Sequence, residues 1–133
     1  MLQVYSMAIT STANQIVPLN TKAVQRGTTA TLSPDGQTIA LNAPGIYEVA
    51  VSGYGTTTAA GTFGFQLTGD GAAIARAASS MSTEAAGVGN AAFTTLVAVN
   101  GVYGSGAKAT LALTYTGAAG TINLASVTVK KVA

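Results

Sequence analysis

The residue pattern predicts an all-β protein of about eight to ten short strands in one domain spanning residues 1–133, a two-sheet antiparallel sandwich or jelly roll. Three observations predict it. Apolar side chains recur with period two between turn signals, and no stretch sustains the helical period of about 3.6 residues. Gly, Pro, Asn and Asp break the chain at near-regular intervals. The 133 residues include 16 Gly and no Cys, His or Trp, so the core is layered from small side chains.

In chain order, Tyr5, Met7 and Ile9 share one face of a first strand. Ile16-Val17-Pro18-Leu19 forms a short second strand whose proline suits an edge or a bulge. These N-terminal strands, within residues 1–27, are candidates for an arm that reaches a partner. Ala30-Thr31-Leu32 leads into Ser33-Pro34-Asp35-Gly36, where proline presets φ and glycine accepts a positive one. Ile39 and Leu41 point one way before Asn42-Ala43-Pro44-Gly45 turns the chain again. From Ile46 to Tyr54, Tyr47, Val49 and Val51 alternate with Glu48, Ala50 and Ser52, the clearest strand in the sequence. Phe63, Phe65 and Leu67 form an inward row that ends in the hairpin signal Gly69-Asp70-Gly71.

Beyond a small-residue stretch, Phe93, Thr95, Val97 and Val99 oppose Leu96 and Ala98, apolar on both faces. Leu111, Leu113 and Tyr115 oppose Thr110, Ala112, Thr114 and Thr116, which gives that strand a polar outer side. The last run, Thr121 to Val132, changes phase: Ile122 and Leu124 face one way, Val127 and Val129 the other. Either a bulge lies near Ala125-Ser126 or both faces are buried. A sheet with two apolar faces needs another subunit against it.

Composition removes most chemistry. Without His or Cys there is no Ser-His-Asp triad, Cys-His nucleophile, thiolate or imidazole metal site, or disulfide framework. Charged residues make up 8% of the chain, about a third of the ordinary share, while 48% hydrophobic is ordinary. A disordered chain would show the opposite bias. Lys22, Arg26, Arg76, Lys108, Lys130 and Lys131 are scattered along the sequence, which offers no basic run for nucleic acid. No apolar stretch is long enough for a spanning helix, and the first residues do not read as an export signal. Such a weakly charged surface predicts that much of it is covered by a partner.

Leu41-Asn42-Ala43-Pro44-Gly45-Ile46-Tyr47-Glu48-Val49-Ala50-Val51-Ser52-Gly53-Tyr54 resembles the Pro-Gly-x-Tyr-x-Val strand of the C1q/tumour-necrosis-factor-like jelly rolls. Leu111-Ala112-Leu113 and Ile122 to Lys131 are similar to that family's last two strands. The resemblance implies a two-sheet antiparallel jelly-roll sandwich of about ten strands, packed as a tight homotrimer with the C-terminal strand in the inner sheet near the three-fold axis. Tyr5, Glu48, Tyr54, Phe93, Leu96, Val127 and Val129 are the expected trimer contacts. Many bacteriophage virion proteins look like this. With no collagen-like stretch, Cys or Asn-x-Ser/Thr sequon in the sequence, the phage type fits better than the secreted animal type.

Other motifs have plainer readings. Gly101 to Lys108 lacks the lysine placement and following helix of a phosphate loop, and Gly87 to Ala92 lacks the βαβ setting of a dinucleotide fingerprint. Asp35 and Asp70 sit beside glycines in turns, where Asx geometry accounts for them without calcium. Glu48 is placed for solvation or an interface ion pair with a lysine or Arg76. Tyr54 and Tyr103 are candidates for stacking on sugar rings. Thr56-Thr57-Thr58 has no continuing Thr-x-Thr ladder to make an ice-binding face.

Two non-enzymatic functions remain, with no metal or cofactor expected. One is a homotrimeric decoration or cement knob on a phage head, bound to the major capsid protein, made in the host cytoplasm and residing in the virion. The other is a trimeric fibre tip or adhesin that binds a host glycan or receptor. Strand patterning that begins almost at Met1 favours the first, because it leaves no segment for a shaft.

Overall fold

A computed structural model describes residues 1–99 and 109–133. One sheet runs in the order β3 (Thr21–Gln25), β1 (Leu2–Ser11), β11 (Gly120–Lys131), β6 (Gly45–Thr57) and β9 (Val88–Val99). The second runs β4 (Ala30–Leu32), β5 (Ile39–Leu41), β10 (Ala109–Tyr115), β7 (Gly61–Gly69) and β8 (Ala72–Thr83), with β2 (Gln15–Ile16) also on β10. Every paired strand is antiparallel. Only β4–β5 and β7–β8 are sequential hairpins; every other connection passes from one sheet to the other, which is the jelly-roll path.

Two turns form as the sequence predicts. Asp70 and Gly71 both take positive φ, 51° and 84°, the geometry of a two-residue hairpin loop whose twist matches the strands. Asp70 also ties this hairpin to β10: its N–H donates to the Thr110 carbonyl at 2.8 Å and its Oδ1 accepts the Thr110 N–H at 2.9 Å. In the other turn Gly36 has φ +74°, and the Ser33 hydroxyl and Gln37 N–H both donate to Asp35 Oδ1. Those two bonds, the Ser33 one foremost, hold the Asp35 carboxyl below its usual range.

The core fills the space between the sheets. Leu2, Val4, Tyr47, Val49 and Val51 face Phe63, Phe65, Leu111, Leu113 and Tyr115, all buried. Phe63, Phe65 and Tyr115 form an edge-to-face cluster with ring centroids 5.3–6.1 Å apart. β6 admits it by carrying glycine at two inward positions. A Cβ on Gly53 would stand 2.7 Å from Phe65 Cε2, and one on Gly55 would collide with the Thr121 carbonyl oxygen. The two buried phenols find partners at strand ends, Tyr47 on the Ala43 carbonyl at 2.6 Å and Tyr115 on the Ala118 carbonyl at 2.5 Å.

Several expectations are corrected. Val127 and Val129 are 0% exposed inside a single chain, so they are core residues and offer nothing to a neighbour. Phe93 also faces inward, half-buried against the core. The phase change in β11 is real, but the irregularity lies between Ile122 and Leu124, not near Ala125-Ser126. Asn123 is pushed out there opposite Ala8, which itself has φ 56°, so Ile122, Ala125, Val127 and Val129 all face the core. β11 therefore has one apolar face, and its outer side carries Leu124, Ser126, Thr128 and Lys130. Within residues 1–27, Leu2 and Val4 are fully buried in β1, which lies between β3 and β11. The predicted small-residue stretch is itself strand, since β8 extends to Thr83 and β9 begins at Val88.

Candidate interaction surface

The outward face of the β3-β1-β11-β6-β9 sheet is built by register, because residues directly opposite each other share a face. Four cross-strand rows cover its centre. Met7, Leu124, Tyr54 and Asn90 form the first; Tyr5, Ser126, Ser52 and Ala92 the second; Gln3, Thr128, Ala50 and Thr94 the third. The fourth is Lys130, Glu48 and Leu96.

The rows differ in height. Beyond Tyr5 and Gln3 on β1, the second and third are short side chains that leave a depression of about 450 Å³ reaching from Gln3 across β11 and β6 to β9. A second hollow of about 430 Å³ continues it toward Tyr54, Asn90 and Leu124, sharing Ser52 and Ala92. Large side chains stand at either end of the trough. Met7 is 63% exposed at one end and Leu96 is 61% exposed at the other. A third hollow beside Leu96 is lined by Glu48, Thr94, Thr95 and Arg76, which brings Arg76 of β8 to the flank of this face.

None of the twelve positions in the first three rows is charged. A freely solvated surface carries roughly 25–35% charged residues, so three or four would be expected here.

Of the expected contact residues, Tyr5, Glu48, Tyr54 and Leu96 lie on this face, whereas Phe93, Val127 and Val129 lie beneath it. Tyr103 and the Gly101–Lys108 loop fall outside the described residues. Sequence reasoning missed Ser52, Ser126, Ala50 and Ala92, the floor of the trough. The only signal was that small polar and Ala residues alternate with core residues on three strands whose pairing the sequence does not show. Among the described residues no three Asp or Glu side chains gather as a metal site.

The opposite face of the molecule is different. The outward positions of β10 and β7 are Thr110, Ala112, Thr114, Gln66 and Thr68, the hydroxyl-rich outer side that the sequence predicts.

The fold and this face define a two-sheet jelly roll of the C1q/tumour-necrosis-factor type. No protein-family model and no curated protein sequence matches the chain. Among solved structures it is similar to the globular domain of zebrafish complement 1qA, with a TM-score of 0.69 and 10% identity over 99% of this chain and 96% of that one. It is also similar to the Eiger TNF from S. frugiperda, with a TM-score of 0.68 and 12% identity over 98% and 92% of the two chains. A viral structure shares the fold as well: the PRD1 vertex protein P5 matches with a TM-score of 0.62 and 14% identity over 99% of this chain and 96% of that one.

Proposed function

We propose that this chain is a homotrimeric structural protein of a bacteriophage particle, a decoration knob that docks on the major capsid protein and stabilises the head. The uncharged trough on the β3-β1-β11-β6-β9 sheet is the observation that carries the self-associating part. Four strands about 4.8 Å apart and seven residues of about 3.3 Å each give this face a projected area on the order of 400 Å². A stable interface buries roughly 800 Å² per partner, so two such faces packed on each other fall well short. A ring in which each copy offers this face to one neighbour and a different patch to the next doubles the buried area and closes symmetrically. The likeness to a viral vertex protein over nearly the whole chain supports the virion setting.

Light scattering coupled to size exclusion should give the mass of three chains, and a clean monomer at micromolar concentration would sink the trimer. Electron microscopy of the parent particle should then show density at regular positions on the head lattice. Density confined to a fibre end would favour a receptor-binding tip instead.

A further inference from the structure

The basic residues that are scattered in sequence are gathered by the fold. The sandwich has a base, where β1 and β6 start and β11 and β9 finish, and a crown at the other end. Arg26 exchanges backbone bonds with Met1, and Met1 stands next to Leu2, the partner of Val129. Arg26, Met1, Lys130 and Glu48 therefore lie in one row across four strands at the base, with Lys131 beside it. Lys22 opposes Val4, and Arg76 lies in the β8 bulge opposite Leu67, also in the basal half. Among the described residues, all five basic side chains are basal. Glu48 and Asp70 are also basal, Asp70 through its two bonds to Thr110, so the base keeps an excess of cations; among the described residues the crown end holds Glu84, after β8, and no basic side chain.

The basal cations surround apolar side chains. Ile46 and Val132 are bonded through their backbones and are 39% and 45% exposed, next to the Lys131 stem. Lys131 is laid along this end by Gly45, since a Cβ there would come 2.5 Å from Lys131 Cε and 2.6 Å from the Ala133 carbonyl oxygen. An apolar centre with a charged rim is how a protein-protein contact is organised.

We propose that this basal end is a docking surface for an acidic protein surface with an apolar centre. The proposal deepens the virion reading above by naming the end that attaches, and it rests on that reading for its three-fold valency. Nucleic acid fits less well. Duplex binders at physiological salt commonly neutralise roughly six to ten phosphates, more than the basic side chains described at this end, and the most exposed aromatic among the described residues, Tyr54, lies in the crownward row with Asn90.

The test is retention on immobilised polyglutamate, a glutamate-tyrosine copolymer, duplex DNA, and phosphatidylserine-phosphatidylcholine vesicles, each in low salt and in about 300 mM salt. The chain should bind both acidic polymers in low salt, the copolymer more tightly. Lys130→Gln/Lys131→Gln, next to the Ile46–Val132 centre, should weaken both by about tenfold, while Lys22→Gln/Arg76→Gln, with the same loss of charge at the outer margin of the base, should weaken them by only about threefold. Ile46→Ser should erase the preference for the copolymer. Equal losses in the two double variants, no retention of the parent chain, or tighter retention on DNA or vesicles would overturn the proposal. Molecular mass in the same samples separates the two readings. A monomer showing the expected pattern ends the trimer and supports the docking surface, and a trimer that ignores both polymers ends the docking surface alone.

Discussion

At the scale of single residues, the aromatic cluster is where a group's chemistry bears most directly on stability. Tyr115 is fully buried between Phe63 and Phe65, with its hydroxyl donating to the Ala118 carbonyl. Burial pushes the phenol's pKa above its ordinary value of 10.0. A raised pKa means that the native state binds this proton more tightly than the unfolded chain does. The stability from a neutral Tyr115 is thus complete below about pH 10 and is lost as pH rises through the folded value. Denaturant unfolding of the parent chain should show falling stability above about pH 10. Tyr115→Phe should lower stability at neutral pH by about 1 kcal/mol, since the Ala118 carbonyl loses its donor, and should flatten the alkaline fall. An alkaline limb as steep in the variant as in the parent would show that other groups cause it.

At the scale of elements, the β7–β8 hairpin joins a legible part to an illegible one. Its Asp70-Gly71 loop is readable because two positive φ values demand those residue types. Its bulge is not. Gln66 opposes Ala78 but Thr68 opposes Ala73, so β8 carries extra residues against Leu67. The Gln66 amide bridges the irregularity, with Nε2 donating to the carbonyls of Ile74 at 2.8 Å and Ala77 at 3.2 Å. Gln66→Leu keeps the volume and strands both acceptors. It should cost about 1–3 kcal/mol in denaturant unfolding, and an unchanged midpoint would mean that water replaces the amide.

The same contrast runs through the other strands. β6, β7 and β10 were readable from alternation because one side of each is strongly apolar. β8 is not legible beyond its turn because its Ala and Ser residues are mostly exposed on both sides, which leaves no period to detect. In β11 the alternation skips a residue at Asn123, and sequence alone could not place the skip. Val127 and Val129 thus stood for an interface when they belong to the core. The outer face of the β3-β1-β11-β6-β9 sheet is legible only in part, through Tyr5, Glu48, Tyr54 and Leu96, because the floor of its trough exists only when the strands are set in register.

At the scale of the whole molecule, the two ends and the trough assign different work to different surfaces. Low charge in the sequence suggested a covered surface without locating it. The fold sets an uncharged trough beside a cationic base, and the two surfaces meet at the Lys130–Glu48 row. Ser52 sits at the centre of the trough, exposed, with Ser126 and Ala92 as its cross-strand neighbours. Its side chain points away from the core, so Ser52→Arg leaves the sandwich packing intact. In an assembly closed through this face, the guanidinium would be buried without a partner, a cost of several kcal/mol repeated at every copy. The variant should run as a folded monomer by light scattering, with a far-ultraviolet dichroism spectrum like the parent's. It should lose density on the particle in electron microscopy because a single basal end attaches more weakly than three held together. A variant that still has the mass of three chains would move the interface off this sheet, leaving the trough to some other occupant.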